Sequence, residues 1–444
     1  MIFKRKATAL LKEWKEQGSG KYAALLEGAR RTGKSTIAEE FAKAEYKSYI
    51  KVDFADISPD ILDVFRSISK LDEFFLRLQA VTGTSLYIRQ SVIIFDEIQL
   101  QPRVRQAIKY LVKDGRYDYI ETGSLLSIKK NVKGIVIPSE EWKISVYPMD
   151  YEEFLWATGK DAFSQLIAIY NSQKGIGQAA NRSLMRDYRL YLAVGGMPQA
   201  VEAYIEKSDF RSIDKIKRGI IDLYEEDFYK IDPSGRVSLM YESIPAQLAR
   251  TSRKYTIHYA LKKKTRDKDR ELFSDLLNSR TVLPCYNCTN PQISLSLGKD
   301  IDAFKLYLSD TGLFTTLLLK TKMIADESLY SKLLSDKLPA NLGFLYENAV
   351  AQTFAARGDE LCYMTWPKEN STHSYELDFI LSKGTKIIPI EVKSSRTDSH
   401  DSIDEFCKKF SSLVTNPCIL SQKDITKTES IINYPFYLAS LVGI

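Results

Sequence analysis

The stretch that decides the fold is residues 27–37, EGARRTGKSTI. Gly28, the four spacers Ala29, Arg30, Arg31 and Thr32, and then Gly33, Lys34 and Ser35 complete the spacing of a phosphate-binding loop. The glycines let the backbone curl so that successive amides point at a phosphate chain, and Lys34 adds positive charge where the terminal phosphates lie. Ser35 offers its hydroxyl to Mg2+, and Thr36 opens the helix that should follow. The apolar run before the loop, YAALLE at residues 22–27, suits a buried strand. A chance glycine turn between a strand and a helix would leave Lys34 without a purpose.

Working outward, residues 46–54 (YKSYIKVDF) read as a second strand, and residues 59–79 carry helical apolar spacing. Residues 91–97, SVIIFDE, place four apolar residues before two acids, as in a strand buried on both faces that ends at the ligand-binding edge of an open α/β sheet. Asp96 is then expected to hold Mg2+ through its water shell, and Glu97 to orient and activate the water that attacks the γ-phosphate of ATP. The competing reading is that both acids cap the helix beginning near Pro102. After a helix at 103–113, residues 117–124 (YDYIETGS) read as a strand ending in hydroxyls, with Thr122 or Ser124 as a residue that senses the γ-phosphate; a plain turn is the alternative. A fifth strand is expected at 142–147.

The runs GARRTGKS, FDEIQLQP (95–102), ETGSLLS (121–127) and YPMDYEEFLWATG (147–159) together resemble a widespread prokaryotic family of AAA+ ATPases with a C-terminal domain of unknown function. The resemblance implies an α/β P-loop NTPase core of AAA+/ASCE type, a parallel sheet in the order 5-1-4-3-2 with the Walker B and sensor strands flanking the P-loop strand, and the usual roles for Lys34, Ser35, Asp96 and Glu97. The resemblance leaves room for an oligomer assembled through the AAA+ domain. A trans-acting arginine would be sought among Arg182, Arg186 and Arg189. YLAVGGMPQAV (191–201), IPAQLAR (244–250) and FKLYLSDTGLF (304–314) resemble later segments of the same family. The first suggests a helical lid, with Gly195 and Gly196 as a hinge or a plain helix connection, and the other two fall in the expected winged helix.

The chain has 444 residues, 44% hydrophobic and 27% charged, enough for several domains of ordinary globular composition. The expected division is 1–158 ATPase core, 159–210 lid, 211–320 winged helix and 321–444 nuclease-like domain. No apolar run approaches about 18 residues, so no membrane helix is expected, and a cytoplasmic location is. Five cysteines and three histidines make neither a disulfide framework nor a zinc site; Cys285 and Cys288 read as part of a turn. Between Arg250 and Arg270 stand nine Lys and Arg against two acids, a pattern that suits DNA or another nucleic-acid backbone or, equally, a solvated face. Helices followed by short strands near 280–285, 294–297 and 304–308 suggest the winged helix, a DNA-binding or protein-docking module.

The last part of the chain carries a second constellation. Glu347 lies on a helix (342–354), Asp378 on an alternating strand (375–381), and Glu391-x-Lys393 on the next. This arrangement resembles the PD-(D/E)XK nuclease fold, without the proline expected before the aspartate. Asp378 and Glu391 would hold Mg2+, Lys393 would position the attacking water, and Glu376 could substitute for Asp378. The function expected is an ATP-hydrolysing protein whose nucleotide state controls a nucleic-acid-associated, nuclease-like module. The alternative is a nucleotide-gated switch or adaptor whose nuclease-like domain does not cut. A ring-forming remodeller ranks last, since no aromatic pore segment stands before Walker B.

Overall fold

In the computed structural model, the residues described are 1–124, 136–160, 162–250, 252–292, 294–320, 327–335, 343–369, 371–394 and 400–444. They form two compact units, Met1–Tyr147 with Asn278–Arg280, and Pro148–Leu277 with Thr281–Ile444. Residues 125–127 of the sensor motif, Asp161 and Leu342 at expected helix starts, and Thr251 in the basic stretch lie outside the described residues.

The first unit is a five-stranded sheet of β1 (Ala23–Glu27), β2 (Ser48–Asp53), β3 (Ser91–Asp96), β4 (Asp118–Gly123) and β5 (Glu141–Ser145), every pairing parallel. Its order is β2-β3-β4-β1-β5, the expected 5-1-4-3-2 read from the other edge. One neighbour relation differs from expectation. The Walker B strand β3 does not flank β1, because β4 lies between them.

The sheet is covered on both faces, and the strands show it by period 2. Ala24, Leu26, Val92, Ile94 and Ile120 pack with α1 (Lys6–Gln17) and α2 (Lys34–Glu45). Ala23, Ile93, Phe95 and Tyr119 form the opposite core with Phe74 and Leu78 of α4 (Leu71–Thr82) and Ile108 and Leu111 of α5 (Pro102–Asp114). Strands buried on both sides cannot alternate with polar residues, hence the apolar run of β3. The helix expected over 59–79 is broken: α3 (Pro59–Val64) passes into a 3-10 turn at Phe65–Ser67 before α4 begins.

The second unit opens with helices, among them Tyr151–Ala157, Gln178–Val194, Pro198–Ile205 and Phe210–Ile231. A capping box starts the first, with Asp150 accepting from the Glu153 amide and Glu153 from the Asp150 amide. An eight-stranded sheet follows: β6 (Val282–Cys288), β7 (Lys299–Leu308), β8 (Cys362–Pro367), β9 (Ser374–Lys383), β10 (Lys386–Lys393), β11 (Cys418–Ser421), β12 (Thr426–Lys427) and β13 (Ile432–Pro435). Its order is β12-β13-β11-β10-β9-β8-β6-β7.

This topology corrects the wing. The expected hairpin exists as antiparallel β6 and β7, but β6 also pairs in parallel with β8, so the hairpin widens the C-terminal sheet instead of standing beside a helix as a wing. The physical reason is burial: Leu306, Tyr307 and Leu308 of β7 are covered, and a free wing would leave such a strand in water. The short strand expected at 294–297 is a turn, and Cys285 and Cys288 lie within β6 rather than in a turn.

Gly195 and Gly196 mark a close backbone crossing. A Cβ on Gly195 (φ +86°) would stand 2.7 Å from Gly312 Cα, and one on Gly196 would stand 2.0 Å from the Met149 carbonyl oxygen. The buried Asp310 carboxylate accepts from the Gly196 amide at 2.7 Å and caps its own helix through the Leu313 amide at 2.8 Å. Two family-like segments, VGGMP and SDTG, therefore meet by main chain, a packing role instead of a hinge.

Candidate functional site

The P-loop leaves β1 at Glu27 and turns over Gly28, where a Cβ would come within 2.1 Å of the Val146 carbonyl. The left-handed residues Arg31 (φ 68°) and Gly33 (φ 93°) complete the curl, and α2 starts at Lys34. Thr32, buried, donates to the Ala29 carbonyl at 3.0 Å. Lys34 is buried too, and its ammonium donates to the carbonyls of Ala29 (2.8 Å) and Gly28 (3.2 Å). Burial pushes that ammonium down to about 8, against the opposing pull of Glu97 and Asp96. Arg30 is half-buried, while Arg31 and Thr36 are exposed.

Across the sheet edge, Asp96 gathers the polar groups. Its Oδ1 accepts from the Ser35 hydroxyl at 2.7 Å and from the buried Thr122 hydroxyl. The Glu97 amide donates to Thr122 Oγ1 at 3.3 Å, and Glu97 stands in the left-handed region (φ 54°), with Gln99 Nε2 donating to its carboxylate. Backbone strain of this kind at an acid ending a sheet strand is characteristic of working sites. Neither acid caps α5, since a 3-10 turn at Ile98–Leu100 intervenes. Ser124 follows β4, half-buried.

The structure thus brings Lys34, Ser35, Asp96, Glu97 and Thr122 to one edge. A hydroxyl and a carboxylate 2.7 Å apart are hard oxygen donors of the kind Mg2+ takes, and the curled loop at the start of a twelve-residue helix fits a phosphate chain. Two neighbours escaped the sequence reading. Arg5, just before α1 and buried, donates from Nη1 to the Thr32 carbonyl and from Nη2 to the Tyr147 carbonyl, each at 2.7 Å. Lys51 of β2 lies 3.6 Å from Asp96 Oδ2. No local motif marks either residue, because their partners are distant in the chain.

Of the three arginines considered for a trans role, Arg189 is buried and donates from Nη1 to Gln422 Oε1 at 2.8 Å. Gln422 also accepts from the Tyr346 hydroxyl and donates to the Ser394 carbonyl, so Arg189 is committed within its own chain. Arg182 and Arg186 are exposed.

The second constellation also converges, with an unexpected centre. Glu347, on the helix Gly343–Arg357, is 1% exposed; Asp378 on β9 and Glu391 on β10 are nearly as covered. Between the acids sits Lys305 of β7, fully buried. Its Nζ is 2.9 Å from Glu347 Oε1, 2.8 Å from Glu376 Oε1 and 3.3 Å from Asp378 Oδ1. Tyr307 donates to Glu347 Oε1 at 2.5 Å, and Arg253 pairs with Glu347 Oε2 and lies 3.5 Å from Asp378 Oδ1. Asp378 Oδ2 accepts the Val392 amide at 2.9 Å.

Lys393 pairs with Glu391 Oε1 at 2.5 Å, and the other oxygen of Glu391 is buried without a partner. Burial and the neighbouring Glu347 push the Asp378 carboxyl up to about 6. Glu347 itself falls below its usual range, because Lys305 and Arg253 together outweigh its burial. Among the described residues no group of three or more acids, histidines or cysteines is arranged to hold a metal. Of the two acids expected to hold Mg2+, Asp378 has the Lys305 ammonium 3.3 Å from its Oδ1, and Glu391 is paired with Lys393.

Comparison with known proteins bears on the N-terminal part of the chain. Residues 20–155 match the family model described as an AAA domain, residues 185–323 a domain of unknown function, DUF8612, and residues 342–437 another, DUF4143. No curated protein matches the chain. Solved structures similar to it include Cdc6p from Pyrobaculum aerophilum (15% identity, 74% of this chain and 92% of that one, TM-score 0.23) and AMPPCP-bound DnaA from Aquifex aeolicus (11%, 76% and 95%, TM-score 0.29). A signal-transduction ATPase with numerous domains from Pyrococcus horikoshii is a third (11%, 81% and 49%, TM-score 0.29). These likenesses are too remote to transfer any property. No helix among the described residues is long and apolar enough to cross a membrane. The loop, the parallel sheet and the family match together identify an N-terminal AAA+ P-loop NTPase domain, followed by two domains of unknown function.

Proposed function

We propose that the chain is an ATP-hydrolysing AAA+ protein whose nucleotide state controls a nucleic-acid-associated, nuclease-like module. The observation that carries the first half is the convergence of Ser35 and Thr122 on Asp96 beside a lysine held only by main-chain carbonyls. Carbonyls are neutral partners, so phosphate oxygens can take over the Lys34 ammonium at little cost. Mg2+, when bound, supplies positive charge to the β- and γ-phosphates; Ser35 and Asp96 would hold it. Glu97 orients and deprotonates the attacking water. Thr122 ties the position of Glu97 to that of Asp96, and Ser124 follows at the end of the same strand as Thr122.

The second half is supported by connectivity. The helix Gly343–Arg357 carries Glu347 and is followed by antiparallel β9 with Asp378 and β10 with Glu391 and Lys393, the helix-strand-strand sequence on which the nuclease-like reading rests. The basic stretch supports a nucleic-acid partner, since Lys254, Lys262, Lys263, Lys264, Arg266, Lys268 and Arg270 are all exposed. The reading in which the module binds without cutting is favoured by Lys305 among the acids.

The test is ATP turnover of wild type, Lys34→Ala and Glu97→Gln, with and without DNA. Turnover that depends on both residues and responds to DNA is expected. Hydrolysis surviving Lys34→Ala would remove the site, and turnover indifferent to DNA would remove the coupling.

A further inference from the structure

We propose that Lys305 is a built-in cation that takes, within the acid cluster of the C-terminal unit, the place a divalent metal would take, so that the module folds complete without metal and is held non-cleaving. This rests on the nuclease-like reading of the module above.

The geometry argues it in three steps. First, three carboxylates from two elements, Glu347 on its helix and Glu376 and Asp378 on β9, each put one oxygen 2.8–3.3 Å from a single ammonium. Those are hydrogen-bond separations. A hard divalent cation draws its oxygens to about 2.0–2.6 Å, so the three oxygens stand at the spacing of a lysine head, and Mg2+ would have to pull them inward.

Second, Lys305 cannot easily leave. It lies opposite Cys285 in the β6–β7 ladder, is 1% exposed at the side chain, and its ammonium stands 5.1 Å from the Tyr363 ring centroid. Third, the remaining charges are also paired within the chain, apart from the second oxygen of Glu391. Arg253 covers the second oxygen of Glu347, and Lys393, which would otherwise position a water, is paired with Glu391. Four acids therefore meet three cations supplied by the same chain. An added divalent ion would face a cluster already close to neutral and would have to displace a buried lysine.

The wing strand thus acquires a purpose. β7 joins the sheet, and by joining delivers the cation that the acids require.

The inference is tested on the full chain, freed of metal with a chelator and without nucleotide. Mn2+ binding is measured by calorimetry in wild type and Asp378→Asn, and thermal unfolding in wild type, Lys305→Met and Lys305→Arg with and without Mn2+. Wild type is expected to bind no Mn2+ that Asp378→Asn removes, and to unfold at the same temperature with or without the ion. Lys305→Met should lose on the order of 5–10 °C in Tm and recover part of it with Mn2+, with the recovery lost when Asp378→Asn is added. Lys305→Arg should keep most of the stability.

Mn2+ binding by wild type that disappears in Asp378→Asn would overturn the proposal, as would Mn2+-dependent DNA cleavage by wild type that Asp378→Ala abolishes. The wild-type titration decides the matter even if Lys305→Met fails to fold. ATP turnover is read separately, so loss of the ATPase reading leaves these outcomes unchanged.

Discussion

Two buried lysines set the two units apart. Lys34 of the P-loop spends its protons on the carbonyls of Gly28 and Ala29, whereas Lys305 spends them on the carboxylates of Glu347, Glu376 and Asp378. The electrostatic result differs accordingly. Burial wins at Lys34 and lowers its ammonium to about 8, while the surrounding acids win at Lys305 and raise it. A lysine on neutral partners can hand them over to an incoming anion; a lysine locked among carboxylates is already satisfied. Proximity of acids and a lysine therefore does not define a catalytic centre. What matters is whether the charges are left open to a ligand or closed upon one another.

The strongest way to break this contrast is Lys305→Met, which should destabilise the C-terminal unit by about 3–5 kcal/mol by leaving buried carboxylates unpaired. Chemical denaturation measures it, and a loss under about 1 kcal/mol would mean that the acids are not held by this residue. Next in size, Lys34→Ala should lower ATP turnover roughly 10²–10³-fold, as expected for a residue that stabilises charge in the transition state; its unfolding midpoint should barely move. The opposite pattern, stability lost and turnover kept, would make Lys34 another structural lysine.

Arg5→Ala should come third. Removing a charged donor from one buried and one half-buried carbonyl costs about 1–3 kcal/mol, and because the buried carbonyl belongs to Thr32 of the loop, the effect should surface as an ATP KM raised about tenfold with kcat little changed. Arg5→Lys, which can reach one carbonyl but not both, should fall between. An equal fall in kcat with KM unchanged would place Arg5 in the chemistry rather than in the support of the loop.

The smallest effect concerns a third buried lysine. Lys217 donates to the Ala193 carbonyl (2.7 Å) and to the Tyr330 hydroxyl (3.1 Å), and burial lowers it to about 8 despite Asp214 and Asp310 nearby. Its folded value lies below its unfolded one, so between about pH 8 and 10.5 the unfolded chain binds more protons. Stability contributed by this group rises with pH through that window and is flat below it, at most about 1.4 kcal/mol per pH unit. The difference between wild type and Lys217→Met, measured by denaturation across that range, isolates this slope from the buried tyrosines. A difference independent of pH would mean that Lys217 keeps its proton.

Much of the candidate nucleotide site was legible because its parts are short and contiguous. GARRTGKS and IIFDE state their geometry through spacing and strand-end position, and the strand order followed from the family resemblance. Glu347, Asp378, Glu391 and Lys393 were legible as residues on a helix and two strands for the same reason. The wing was misread because a hairpin's sequence records its alternation but not which strand lies beyond its edge. Gly195 and Gly196 look like a flexible joint until Gly312 and Met149 are seen pressed against them.

By itself, then, the sequence determined the phosphate loop, the acids that end β3, and the local elements that carry the C-terminal acids, since each rests on neighbours within a few residues. Only the tertiary structure decided what closes those acids. Lys305 reaches Glu347 across 42 residues, Arg253 reaches it across 94, and Arg5 reaches Tyr147 across 142. Coulomb energy depends on separation in space and on exclusion of water, and neither is written in the spacing along the chain.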